Sequence, residues 1–410
     1  MKTTVDLARA GDITPQMEAV AESERIDIDN LLARIAKGSV VIMARGGRSL
    51  GIGEGMTTKV NVNIGTSSSK INLEEELEKA RIAEKYGADT ITDLSMGGNI
   101  SEIRKKIFES TTLPVTTVPI YQVAVEKGLE NMSGKDILGT MEQQSEEGVS
   151  SFVLHCTKVE TLNALEKGRR ILGVVSKGGS LTCAYMLRNR CENPFIENFD
   201  EILKLMKEHD IVLSLGNTMR SGCINDTRDR AQLEEIKQNV ELARRANEEG
   251  VQAVIEGVGG HVRADRIAEY VRFHKASSDF PLFVAGPLPT DVAVGYDHIA
   301  GCVGASIASG AGADYLCYIT PSEHLGLPGP GQVREGLMAF KIAAHIGDSI
   351  KYGSDERDRN LAKRRAELDW EGQMSYALDS DKARSLAPKV GPCTMCGDFC
   401  AIKIMKEVTR

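Results

Sequence analysis

From residue 56 onward the chain repeats one pattern, a short β-branched run followed by a polar stretch with helical spacing. The runs are KVNVNIG (59–65), DTITDLS (89–95), PVTTVPI (114–120), SSFVLHC (150–156), ILGVVS (171–176), IVLSLGN (211–217), QAVIEGV (252–258), PLFVAGP (281–287) and ADYLCYIT (313–320). The segments between them are amphipathic: in LEEELEKARIAEKYG (73–87), Leu73, Leu77, Ala80 and Ala83 form one apolar stripe. Repeated strand–helix units imply a parallel sheet, since parallel strands need a crossover long enough to hold a helix. About 260 residues with eight or more units fit an α/β fold of the (β/α)8 TIM-like barrel type better than an open doubly wound sheet. Nine candidate runs are one too many, so one lies outside the barrel or is no strand.

The flanks differ in character. Residues 1–55 read as a leader with one helical stretch (16–37) and a strand-like SVVIMA (39–44), ahead of a catalytic barrel over 56–330. Its GIGEG (51–55) invites a dinucleotide-binding reading, but the strand-like MTTKVNVNIG follows where a helix must receive the pyrophosphate, so that reading is rejected. Residues 331–410 read as a helical C-terminal domain: QVREGLMAFKIAAHIGDSIKYG (332–353), SDERDRNLAKRRAELDWEGQMSYAL (354–378) and SDKARSLA, ending in a cysteine loop. The alternating charges of 354–367 read as a solvated helix face, and Trp370, the only tryptophan, as a packing anchor.

Composition narrows the partners. A chain of 410 residues, 41% hydrophobic, can bury a real core, and its net charge of −8 argues against nucleic acid or an anionic membrane. A small-molecule substrate is expected instead. MKTTVDLARAGDITPQ has no apolar signal region and no apolar run reaches the length of about 18 residues of a membrane span, so a cytoplasmic location is expected. Six of the nine cysteines (Cys156, Cys183, Cys191, Cys223, Cys302, Cys317) are scattered, and in a reducing compartment they read as buried small hydrophobes.

Polar and special residues gather just after the candidate strands: Asn63, Gly97–Gly98, Tyr121, His155, Ser176–Gly179, Asn217–Arg220, Glu256–His261 and the segment around His324. Any one alone reads as a loop residue satisfying local backbone. In phase with the strands of a barrel, they predict an active site at its C-terminal mouth.

CTMCGDFC places Cys393, Cys396 and Cys400 in one turn, with Gly397 permitting it and no fourth cysteine nearby. Structural zinc usually has four closed protein ligands, and AIKIMKEVTR offers neither His nor Cys. Three thiolates suit a [4Fe–4S] cluster with one iron open to a non-protein group, such as the amino and carboxylate groups of S-adenosylmethionine. On spacing alone, zinc completed by a distant ligand and an incidental group of thiols stay open.

The segments KVNVNIGTSS, GADTITDLSMGGNI, PVTTVPIYQ, VSKGGS, LSLGNTMRSG, VIEGVGGHV, GPLPTDVAVGYDHI, YITPSEHLGLP, FKIAAH and CTMCGDFCAIKI occur in the order of one family. From about residue 56 to its end the chain resembles the phosphomethylpyrimidine synthase family of radical S-adenosylmethionine enzymes. The resemblance implies a (β/α)8 barrel, a [4Fe–4S] cluster on Cys393, Cys396 and Cys400, S-adenosylmethionine as cofactor, a reducing electron donor, and 5-aminoimidazole ribotide as substrate. It also implies a homodimer in which the cluster tail covers a partner's barrel. Substrate contacts are implied at Asn63, Tyr121, His155, Ser176, Lys177, Gly178, Asn217, Thr218, Met219, Arg220 and Glu256, and a metal, Zn or Fe, at His261 and His324; His298 is the competing ligand and is read as supporting the site instead. A glycine-rich turn with a lysine and an arginine nearby suits a ribotide phosphate. Glu256 and His155 are the candidates for moving protons.

Several positions depart from the thiamin pattern of that family. EGVGGH stands for EGPGH, SKG for SRG and NTMR for DGLR, while Phe283 replaces a Tyr and Thr92 a Met. Lys177 thus exchanges a bidentate guanidinium for a point charge, and Asn217 a carboxylate for an amide. Such changes at substrate-facing positions resemble the 5-hydroxybenzimidazole synthase branch, which makes a cobamide lower-ligand precursor from the same ribotide. That branch is the first expectation for function and phosphomethylpyrimidine synthesis for thiamin the alternative. Two other classes stand beside them: a barrel lyase dependent on zinc or manganese, with a structural zinc tail, and a non-catalytic iron–sulfur sensor.

Overall fold

A computed structural model describes residues 2–165, 170–353 and 355–408, which form two compact units, Met1–Gly347 and Asp348–Arg410. The first unit opens with helices Thr4–Ala10, Pro15–Glu24 and Ile28–Lys37, then the strands β1 (Val40–Arg45) and β2 (Arg48–Gly53), paired antiparallel. The single helix expected over 16–37 is two, because Arg25 takes a left-handed conformation and Asp27 caps the next helix through Asn30 N–H.

The barrel follows: β3 (Lys59–Ile64), β4 (Thr90–Asp93), β5 (Val115–Thr117), β6 (Ser151–Leu154), β7 (Val212–Leu215), β8 (Ala253–Glu256), β9 (Leu282–Ala285) and β10 (Tyr315–Cys317). All pairs are parallel, and β10 closes on β3. Residues of every strand are buried on both faces, as a parallel sheet covered by helices requires. The surplus ninth run, ILGVVS (171–176), is no strand. It is an irregular loop tied down by Asp226, whose carboxylate accepts from Ile171 and Leu172 N–H at 2.9 Å each, and by the Arg170–Asp229 pair at 2.6 Å.

The hairpin β1–β2 closes the N-terminal end of the barrel. Val41, Met43 and Ile52 pack on Val212, Val254, Phe283 and Tyr315, and the Gln252 side chain pairs with the backbone of Ile42 at 2.6 and 3.0 Å. Residues 1–55 therefore belong with the barrel rather than standing apart as a leader. The glycines of GIGEG serve this packing: a Cβ on Gly51 would meet Val20 at 2.6 Å, and one on Gly53 the Ser39 carbonyl at 2.1 Å. The boundary expected at 331 falls at 347/348, because helix Pro330–Tyr352 buries Val333, Leu337 and Phe340 in the barrel's own core.

The second unit consists of helices Glu356–Ala366, Trp370–Met374, Ser380–Leu386 and Ala401–Val408, with a 3-10 turn at Gly397–Phe399. Trp370 is half-buried, and its indole N–H donates to the Gly391 carbonyl at 2.8 Å. Among the described residues no helix is long and apolar enough to cross a membrane.

Candidate active site

The C-terminal ends of the strands surround a cavity of about 410 Å³. Among its lining residues are Asn63 from β3, Tyr121 after β5, Lys177 at the start of helix Lys177–Asn189, Asn217 and Arg220 after β7, and Glu256 at the end of β8. His261 and His324 also line it, so eight sequence-predicted side chains converge here. Phe283, its ring stacked on Tyr315 with centroids 3.9 Å apart, contributes the floor above the hairpin.

Glu256 is held by two donors, the Ser214 hydroxyl at 3.1 Å and the Asn217 N–H at 3.2 Å. Burial raises its pKa, opposed by Arg220 and those donors. Burial also lowers the pKa of Lys177, with Glu323 opposing, and raises that of Glu323, opposed by His324 and Arg220. Tyr121 is buried, its phenol pKa pushed up by desolvation, with Lys177 Nζ 5.4 Å from its ring centre.

Five predicted residues stand behind the lining instead of on it. His155 is buried beneath Gly178, where a Cβ would come within 2.4 Å of the imidazole, and its Nε2 lies 2.9 Å from Ser176 Oγ. Burial, aided by Arg220, pulls its pKa down to about 3, so it is a neutral ring that orients Ser176 rather than an acid facing substrate. Ser176 in turn caps its helix by accepting from Gly179 N–H at 3.2 Å. Thr218 and Met219 are fully buried, and their N–H groups point into the protein.

His261 and His324 face each other with ring centres 5.2 Å apart. Each Nδ1 lies against a carboxylate, Asp291 at 2.7 Å and Asp297 at 3.3 Å. That arrangement fixes the tautomer and leaves both Nε2 lone pairs for a metal, the usual support of a ligating histidine. His298 faces Glu335 at 3.4 Å and does not line the cavity. Among the described residues no group of three or more His, Cys, Asp or Glu could hold a metal ion.

In the second unit, Gly397, at φ +52°, turns the chain between Cys396 and Cys400, and its N–H donates to the Cys393 carbonyl at 3.0 Å. Cys393 is half-buried, Cys396 exposed and Cys400 buried. Three thiols on one hydrogen-bonded turn fit a [4Fe–4S] cluster, whose ligands sit on separate irons and need not converge on a point.

Three groups escaped the sequence expectations. Glu235, buried in helix Arg230–Glu248, binds the Asn217–Met219 loop. Its signal is a polar row, Gln232, Glu235 and Asn239, repeating at helical spacing on a buried face. Cys317 is no mere filler: it lines the cavity, accepts from Asn63 Nδ2 at 3.1 Å, and burial pushes its thiol up to about 12. Leu172 and Val175, from the loop that mimics a strand, complete the wall.

The Radical SAM ThiC family matches residues 3–407. A phosphomethylpyrimidine synthase of Dehalococcoides mccartyi (strain ATCC BAA-2100 / JCM 16839 / KCTC 5957 / BAV1) is 44% identical, over 99% of this chain and 98% of its own. The Methanocaldococcus jannaschii enzyme of that name is 44% identical over 100% of both chains, and that of Archaeoglobus fulgidus 44% over 99% of both.

Proposed function

The chain belongs to the radical SAM ThiC family, and on that premise we propose that it rebuilds 5-aminoimidazole ribotide by S-adenosylmethionine radical chemistry, forming for thiamin biosynthesis the phosphomethylpyrimidine that its relatives are named for. This reverses the order of the sequence expectations, because the relatives named above are all phosphomethylpyrimidine synthases and none supports the benzimidazole branch. The observation that carries the reading is the convergence of cations, carboxylates and the histidine pair in one cavity at the barrel mouth.

Cys393, Cys396 and Cys400 would hold the cluster, which supplies the electron for reductive cleavage of S-adenosylmethionine. The chain's own residues bind and orient. Lys177, Arg220 and the N-terminus of helix Lys177–Asn189 offer positive charge and N–H groups to a phosphate. Tyr121, Phe283 and Leu172 wall the ring and exclude water. Glu256 accepts a proton from the imidazole side, and His155 acts through Ser176 rather than on substrate. His261 and His324 would hold Zn or Fe. The reading includes an electron donor and a homodimer.

A second reading, 5-hydroxybenzimidazole formation, rests on one observation: Thr92, Lys177, Asn217 and Phe283, four of the positions where the chain departs from the thiamin pattern, line the cavity, as does the displaced His261. The test is anaerobic incubation of reconstituted protein with reductant, S-adenosylmethionine and 5-aminoimidazole ribotide, read by mass spectrometry. A phosphomethylpyrimidine mass supports the first reading and a 5-hydroxybenzimidazole mass the second. Cluster-loaded protein that forms neither, and no 5′-deoxyadenosine, would overturn both.

A further inference from the structure

Glu235 has both carboxylate oxygens filled. Oε1 accepts from the Thr218 N–H at 2.8 Å and the Thr157 hydroxyl at 3.0 Å. Oε2 accepts from the Met219 N–H at 3.0 Å and from Asn217 Nδ2 at 2.7 Å. Burial raises the pKa of Glu235 and these four donors oppose the rise; with every contact made by a donor, Asn217 turns its nitrogen toward the carboxylate. The amide oxygen then faces the other way, 3.3 Å from where a Cβ on Gly259 would stand, and both residues line the cavity. Among the described residues nothing donates to that oxygen. The backbone N–H of Asn217 meanwhile holds Glu256.

We propose that Glu235 is a positioning residue that locks Asn217 as a one-sided hydrogen-bond acceptor, so that this wall of the cavity selects a ligand presenting an N–H or O–H. Gly259 keeps the space before the acceptor open. An aspartate in place of Asn217 would set two carboxylates at hydrogen-bond distance in a buried place, and one would have to take up a proton. Asn217 and Glu235 therefore work as a pair. The identity of the donor, an exocyclic amine or a ribose hydroxyl, rests on the ribotide reading.

The test uses the full, reconstituted protein and the variants N217D, E235Q and N217D/E235Q, with ribotide affinity by calorimetry and kcat and KM for product. Each single variant should weaken ribotide binding roughly 10- to 100-fold, because a buried polar group loses its partner. The double variant should bind at least about tenfold better than either, because the amide introduced by E235Q can donate to one oxygen of the carboxylate introduced by N217D while the other oxygen faces ligand. Losses that simply multiply would overturn the pairing. Wild-type protein needs no folding control: imidazole ribotide, lacking the amine, and the 2′-deoxy ribotide should differ in affinity, the weaker one naming the donor, and equal affinity for both and for the parent would overturn the selection. If the protein binds no ribotide, the function reading fails and the lock is judged without ligand, by exchange of the side-chain amide protons in protein labelled with nitrogen-15 at asparagine. Protection at Asn217 that is lost in E235Q supports the lock; unchanged exchange overturns it.

Discussion

The barrel mouth and the cysteine tail, to which the proposed function assigns substrate and cluster, are built in opposite ways. At the mouth, functional side chains are buried and cross-tied: Glu256 has two donors, Glu235 four, and each cavity histidine a carboxylate. In the tail Cys396 is exposed, and neighbouring Met395 and Phe399 are 91% and 85% exposed. A site that recognises one small molecule must be rigid before the molecule arrives. A metal loop instead draws its order from the metal, since ligand binding is itself folding free energy.

The largest expected effect separates the two regions outright. C396A should abolish 5′-deoxyadenosine formation while leaving ribotide binding by calorimetry within about threefold, because the residues proposed to bind the ribotide all belong to the barrel unit. A variant that loses ribotide binding as well would break the contrast.

Next in size, D291N should weaken metal binding at the histidine pair by about 10- to 100-fold, because Asp291 orients His261 through Nδ1. Competition with a chromophoric chelator measures it, and iron in the cysteine loop should not change. Equal loss of both metals would show the two regions to be coupled.

Acid gives the smallest effect and the sharpest spatial contrast. Burial pulls the pKa of His155 and of His274 down to about 3, so both stay neutral in the folded barrel. The unfolded chain binds their protons below the ordinary value of about 6.5. The stability from keeping them neutral is therefore whole above a pH of about 6.5 and is lost as pH falls toward about 3, by about 1.4 kcal/mol per unit and per histidine. The tail unit contains no histidine and holds Trp370, the only tryptophan. Between about pH 6.5 and about pH 5 the urea midpoint from far-ultraviolet circular dichroism, dominated by the barrel, should fall more than the midpoint from tryptophan fluorescence. Parallel shifts would assign the acid sensitivity elsewhere.

The sequence disclosed what repeats and what is rare. Eight β-branched runs became the eight barrel strands, and residues in phase with them reached the mouth. It misled where one composition serves two purposes. ILGVVS is apolar because Leu172 and Val175 wall a cavity, and β-branching alone does not distinguish that from a strand. His155 follows a strand in register yet lies under Gly178, since register sets a direction but not a depth. Glu235 was hidden in a helix rich in charge, where a solvated carboxylate and a buried one look alike until the partner loop is known.

The hairpin β1–β2 leaves the barrel stoppered at one end, with Phe283 as the floor of the vessel. A container with a single door cannot pass cargo through: substrate and product must use the same opening, in turn. Whatever leaves slowly then blocks what comes next, so spent product competes with fresh substrate at the threshold, and a reactive fragment made inside has no back exit through which to escape.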